Sequence, residues 1–501
     1  MSQTTRDARA SDAAPPPAAP TRAIEANGIN VIDESERKGS PRQLFWPWAA
    51  SNISILGMSW GAYVLGFGVS LWQGLVAGLV GAIGSFVLVG LVSIAGKRGS
   101  APTMTLSRAA FGVRGNVVPG VVSYLLLVGW EVALVSIGTF ASSTVFTRLG
   151  WGGGNAIKIV SFLLVVAVIV GAGILGFDFI MGLQKWLTLA TVIATVVFMA
   201  LTAKHIDLSA ATSAPSGSLT AVIGATMLVL TGFGIGWTNC AADYSRYLPR
   251  RASSGAIAGW TTFGASAPVV VLVVWGLLLA GSDADLSSRL GSDPVGALTA
   301  LIPTWFLVPF FLVAIVGLVS GAVLDIYSSG LTLLAVGLPV PRWVAAALDG
   351  VLMIAGSIYV IWFAADFLGP FQGMLITLGV PLSAWCGIFL ADLLLRRRDY
   401  DPGALFDARG RYGSVNVSAI ALLVVATVVG LGLVTNTYAH WLSWQGYLLD
   451  VVGLGGRDGD WAYANIGVVV ALLVGFLGYL AVSASAVRRQ EADAPAATPV
   501  A

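Results

Sequence analysis

Thr231-Gly232-Phe233-Gly234-Ile235-Gly236-Trp237-Thr238-Asn239-Cys240 is the stretch on which the reading of this chain turns. Its glycines stand at alternate positions inside an apolar run of membrane-spanning length, at about 218–241. Each glycine costs a helix about 1 kcal/mol relative to alanine, so the run is expected to unwind locally. Backbone that leaves the helical ladder survives at membrane depth only where it is buried in protein or lines a cavity. A second interruption, Ala50-Ser51-Asn52-Ile53-Ser54-Ile55-Leu56-Gly57-Met58-Ser59-Trp60-Gly61, lies in an earlier apolar run at 44–68. Close helix packing through small residues is the competing reading. The Phe and Trp between alternate glycines favour unwinding.

Around these two stretches the whole chain reads as membrane helix. Hydrophobic residues make up 56% of it and charged residues 10%, against roughly a quarter charged in soluble domains. Apolar runs long enough to cross hydrocarbon fall at 44–68, 70–95, 117–147, 156–178, 180–202, 218–241, 256–280, 304–336, 344–365, 367–394, 415–440 and 464–487. Barrel strands would alternate polar and apolar residues over about ten positions, and no such alternation dominates.

Twelve spans sort the charges. One side collects basic residues, among them Arg37, Lys97, Arg98, Arg108, Arg246, Arg250, Arg342, Arg396, Arg397 and Arg488. The other holds few, with Asp207, Asp283, Asp293, Asp458 and Asp460 beside them. The positive-inside rule makes the first side cytoplasmic and places both termini there, as in a cell inner (plasma) membrane protein. Residues 1–43 and 488–501 read as disordered tails rather than a signal peptide.

Enzymatic chemistry has little material. His205 and His440 stand alone at the outer ends of spans, Cys240 and Cys386 lie inside spans, and no HExxH, phosphate-loop or nucleophile-elbow motif is present. Interruptions in spans one and six instead fit two five-helix repeats of inverted topology with a solute held between them. The fold class expected is an all-α polytopic membrane protein of five plus five helices, with repeats at 44–202 and 218–394. Two further spans follow at 415–487.

The run Ala241-Ala242-Asp243-Tyr244-Ser245-Arg246-Tyr247-Leu248-Pro249, leaving the interrupted span, resembles the sixth-span signature of the nucleobase:cation symporter family 1, in its purine–cytosine permease branch. Asn52, Gly129-Trp130 and Asp325-Ile326-Tyr327-Ser328 are similar too. The resemblance implies a leucine-transporter-like fold, alternating access, and a purine, cytosine or related planar substrate. Trp130 matches the family's stacking tryptophan, and Phe233 and Trp237 match aromatic positions of its sixth span. A flat ring stacked on an aromatic face gains roughly 1–3 kcal/mol. Backbone at Gly232 and Gly234, and at Ser54 and Gly57 of span one, is then available to its polar edge, with Gln372 a further polar contact.

The sequence departs from that pattern in span eight. Gly321-Ala322-Val323-Leu324-Asp325 stands where cytosine and purine permeases commonly carry an amide pair, and Leu134 replaces an amide one turn after Trp130. Hydantoin-like rings and planar vitamins therefore stay open beside the nucleobases. Two acids lie deep in spans, Glu131 and Asp325, where ionisable residues cost at least about 2.5 kcal/mol and function is the default reading. Asp178, Asp349, Asp366 and Asp392 lie nearer span ends and are expected to be solvated or structurally paired.

Sodium relatives of this fold bind the ion with hydroxyls of span eight, and Ile315-Val316-Gly317-Leu318 supplies none. Ser320 is the nearest hydroxyl, so coupling to H+ through Glu131 or Asp325 is favoured and Na+ is the alternative. No cofactor, nucleic acid or obligatory protein partner is expected; the partners are a small solute and the bilayer. The competing functions are an amino-acid or other small-solute symporter of the same fold and, more distantly, a channel or scaffold.

Overall fold

The computed structural model describes residues 24–364, 367–437 and 439–492. Every regular element among them is helical. Ten helices are long and apolar enough to cross a membrane, and two shorter apolar helices, Ile55–Leu65 and Val417–Leu431, occupy the places expected for spans one and eleven. The other boundaries lie within a few residues of the sequence reading. Span eleven's helix stops at Leu431, where Gly432 follows, and the described residues from there to Ile466 hold turns and two short 3-10 helices, His440–Leu442 and Ala462–Ala464.

Span one is broken. Its first half, Phe45–Asn52, ends where Ile53 and Ser54 turn extended. The chain resumes in a 3-10 turn, Ile55–Met58, and a short helix, Ser59–Leu65. The Asn52 amide donates to Trp48 O at 2.9 Å, the local side-chain bond by which Asn competes with the helical ladder. The second half lies directly on span seven, Ser254–Ser282. A Cβ on Gly61 would sit 2.1 Å from the Gly276 backbone, so only glycines allow that approach.

Span six differs from expectation. Its helix, Leu219–Leu230, does not unwind but widens into a π turn at Thr231–Ile235 and continues as Gly236–Thr238. The glycines serve packing: a Cβ on Gly232 would meet the Trp60 ring at 1.9 Å, and one on Gly234 would meet Ser85 at 2.4 Å. Both readings of the motif thus share in the outcome, since π turns are also local departures from the i→i−4 ladder that concentrate at functional sites.

The spans form two packed groups. Spans one and six lie against two (Leu71–Gly99) and seven. Spans three (Val117–Arg148), four (Asn155–Leu175), eight (Thr304–Ala335) and nine (Arg342–Trp362) pack on one another. Span five (Phe177–Thr202) touches one and eight, while span ten (Leu368–Leu395) touches three and six. Span twelve, Gly467–Ala492, packs along ten and eleven.

The N-terminal segment corrects the expectation of an unstructured tail over 1–43. From residue 24 onward it is laid across the basic face in short 3-10 turns at Glu34–Glu36 and Pro41–Leu44. Polar anchors hold it there. The Glu25 carboxylate pairs with Arg246 at 3.0 Å and Arg342 at 3.4 Å, and it accepts bonds from the Tyr247 and Tyr327 hydroxyls and Phe177 N. At the other end of the chain, the last helix extends through Ala492, into the segment read as a tail.

Candidate functional site

Where the break of span one faces the π turn of span six, a cavity of about 560 Å³ opens against spans three, eight and ten. Trp130, Phe233, Gly232, Trp237, Ser54, Gly57, Gln372 and Asp325 all line it, as their sequence positions suggested. Several aromatic rings stand in its wall. Trp130 meets Phe371 edge-on at 4.9 Å between centroids, and Trp60 lies 4.5 Å from Phe233. Gly236 sits under Trp130, and a Cβ there would come 3.3 Å from the indole nitrogen. Trp60, Tyr63 and Phe371 were not singled out by sequence. Trp60 was legible as the partner of a glycine in the interrupted span, whereas Phe371 comes from a helix with no motif.

Three expected members stand elsewhere. Gly234 faces the other way, its amide donating to Ser85 Oγ at 3.1 Å. Ser320 is buried on a different side of span eight, where its carbonyl accepts from Gln184 Nε2 at 3.0 Å and its hydroxyl has no hydrogen-bond partner. Glu131 lies next to Trp130 in sequence but turns away from the cavity, because adjacent helical residues point about 100° apart. It is fully buried, and the Ser329 hydroxyl stands 2.9 Å from its Oε1.

That same hydroxyl bonds Asp349 Oδ2. Of the two expectations for Asp349, solvated or structurally paired, the first does not hold: it is as enclosed as Glu131 and is paired through the contact they share. Glu131 Oε2 and Asp349 Oδ1 are both buried without partners. Of the other acids near span ends, Asp392 is paired as expected, bidentate to Arg396 at 2.7 and 2.9 Å and bonded by Tyr479. Asp178 is exposed, 3.1 Å from Lys38, and Asp366 lies outside the described residues.

The cavity has unequal ends. Toward the basic face it is floored by packed aromatics, with Trp48 edge-on to both Trp237 (5.7 Å) and Tyr244 (5.4 Å). Tyr244 in turn bonds Leu324 O of span eight at 2.8 Å. Below that floor, the run after span six acts as a clasp. Asp243 accepts from Thr103 N and Oγ1 at 2.7 and 2.8 Å, and burial pushes its carboxyl up to about 6. Arg246, wholly enclosed, binds Glu25, Tyr327 and Gly28 O. Toward the opposite face the cavity shares Tyr63, Leu228, Thr231, Gln372 and Ile376 with a second hollow of about 800 Å³, which reaches Asp458 and Asp460.

Comparison with known proteins agrees with this architecture. The solved structure of Mhp1, a nucleobase-cation-symport-1 family transporter in a closed conformation with bromovinylhydantoin bound, superposes with a TM-score of 0.69 at 19% identity, covering 93% of this chain and 98% of that one. A substrate-bound, outward-open Na+-coupled sialic acid symporter gives 0.59 at 13% identity, covering 93% and 92%. In sequence, YxlA of Bacillus subtilis, whose name places it among purine–cytosine permeases, is 23% identical over 83% of this chain and 89% of its own. Purine-cytosine permease FCY21 of Saccharomyces cerevisiae is 24% identical over 87% and 82%. The family model for permeases for cytosine/purines, uracil, thiamine and allantoin matches residues 31–455. A cavity built on a broken span and a π turn, in a chain that this model covers from residue 31 to residue 455, makes the protein a member of the nucleobase:cation symporter family, a multi-pass secondary transporter.

Proposed function

We propose that this transporter imports a nucleobase or a related planar nitrogen heterocycle, by alternating access, into the compartment faced by its basic side. The observation that carries the reading is the aromatic-walled cavity at the break of span one, with Trp130 and Phe233 among its walls and polar atoms of Ser54, Gln372 and Asp325 at its margins. Such a space suits a flat ring that stacks and bonds along one edge. Basic residues gather at the closed end, which supports the cytoplasm of a plasma membrane as the destination.

The packing supports a five-plus-five inverted repeat. Exchanging spans one to five with six to ten turns several of the main contacts into others that exist: one on seven becomes six on two, three on nine becomes eight on four, and five on eight becomes ten on three.

Protons are the coupling ion we favour, and the Ser329 bridge supports them. One hydroxyl carries a single hydrogen, yet this oxygen is in bonding range of both Glu131 and Asp349. The second bond calls for a protonated carboxyl as donor. Two buried carboxylates with no basic partner could not both stay charged at tolerable cost. One observation favours sodium instead: Ser320 Oγ is buried and unpartnered on the helix that meets the first span's break, where Gly317 lies against Ile53 O. The reading is tested in proteoliposomes supplied with radiolabelled nucleobase from outside. A proton gradient without sodium should drive accumulation; a strict sodium requirement with no response to pH would replace protons by the Ser320 site.

A further inference from the structure

Asp325 is the one feature of the cavity that stacking does not explain. Apart from Asp293 at the exposed rim, it is the only charged residue among the described residues of the lining, and these include no Lys, Arg or His. Only 2% of its surface is exposed, and Oδ2 is buried with no hydrogen-bond partner. The titratable groups that share its electrostatic field are Asp349 of span nine, Glu131 of span three, and Cys240 and Tyr244 at the end of span six, none of them basic. The Tyr244 hydroxyl is already bonded to Leu324 O and Ser328. A buried acceptor left unmatched costs about 1–3 kcal/mol, so the missing partner is to be sought in the solute.

Resting on the nucleobase reading above, we propose that Asp325 recognises an amidine edge of the solute, a ring nitrogen beside an amino group, and that one proton is held between the two. A carboxylic acid donates through O–H and accepts through C=O. An amidine edge offers the reverse pair, a ring nitrogen that accepts and an N–H that donates. The two close a planar ring of two hydrogen bonds. Moving the shared proton onto the ring nitrogen gives carboxylate and amidinium, with the same atoms and the same net charge. Solute and proton therefore enter the site as one neutral unit, the proton coming from the medium on the open side. This matching also sets specificity. A lactam edge places N–H beside C=O and can pair only with the acid form as well, but an edge bearing two acceptors, or an anionic group, leaves Asp325 unpaired or repelled. Among rings that do fit, the amidine alone can take the proton and strengthen both bonds by charge.

Binding to the purified full-length protein, measured by calorimetry with cytosine as the amidine-edged probe and uracil as its lactam-edged counterpart, separates the possibilities. Cytosine affinity should fall as pH rises above the value at which Asp325 of the empty protein gives up its proton, approaching about tenfold per unit for one proton, and should exceed that of uracil by at least about tenfold at pH 6. Asp325→Asn supplies an N–H donor and a C=O acceptor without a titrating proton. It should therefore keep cytosine binding within a few-fold of the wild-type value at pH 6 and make it independent of pH. Asp325→Leu should lose cytosine binding while its melting temperature stays near that of the wild type. If both bases bind the wild type equally and without pH dependence, the proposal fails and the nucleobase reading stands. If neither base binds at any pH, both fail. Cytosine binding that keeps its pH dependence in Asp325→Asn assigns the proton to another group and also overturns the proposal.

Discussion

Removing the carboxylate of Glu25 should open the basic face. Its oxygens are the hub that ties the N-terminal segment to Arg246 after span six, Tyr327 of span eight, Arg342 of span nine and Phe177 of span five. These are elements that must part if the cavity is to empty toward that side. Glu25 is about nine-tenths buried and Arg246 wholly so. Breaking such a pair by deleting one partner costs about 3–5 kcal/mol, because the remaining charge is left uncompensated. If the loss falls on the closed state alone, 3 kcal/mol shifts the closed–open equilibrium by about a hundredfold.

Cys240 provides the reporter. It lies at the end of span six, fully buried beneath the aromatic floor, and the other cysteine, Cys386, is buried in span ten and can be replaced by alanine. In a Cys386→Ala background, maleimide labelling of Cys240 should accelerate by about two orders of magnitude in Glu25→Ala, and solute added from the opposite face should slow it again. A lowered melting temperature with unchanged labelling would refute the reasoning. It would mean that the clasp contributes to folding without governing access.

Further outcomes follow from the site. Trp130→Ala should weaken solute binding by about tenfold or more and abolish uptake with expression retained, while Trp130→Phe keeps part of the activity; normal transport by the alanine variant would move the site elsewhere. Glu131→Gln or Asp349→Asn should each uncouple uptake from the proton gradient while calorimetry still detects binding, because neither side chain lines the cavity. Retained proton-driven accumulation in both would remove the pair from the coupling path. Cysteines introduced at the exposed positions Ser213 and Asp407 should react with an impermeant reagent from outside and inside respectively, and labelling of both from one side would overturn the topology.

What could be read from the sequence divides by range. Span positions were legible because length and hydropathy are properties of consecutive residues, and the break of span one because Ser51 and Asn52 compete locally for its backbone. Spacing alone could not tell unwinding from a π turn at Thr231–Ile235, since glycine permits both and the choice depends on Trp60 and Ser85 filling the space beside Gly232 and Gly234. The burial of Asp349 was not legible for a related reason. Its position seven residues into span nine placed it close to water on a straight count, but the N-terminal segment and the clasp cover that end of the bundle. The helix consequently enters the protein interior almost from its first turn, with Arg342 itself buried against Gly173 O and Ile174 O. Depth in the membrane and depth in the protein are different coordinates, and only the first is written along the chain. Glu131, Ser329 and Asp349 come from three helices and share no motif. Their meeting is a consequence of how spans three, eight and nine cross, which is why the residues best placed to hold a buried proton were the ones the sequence least connected.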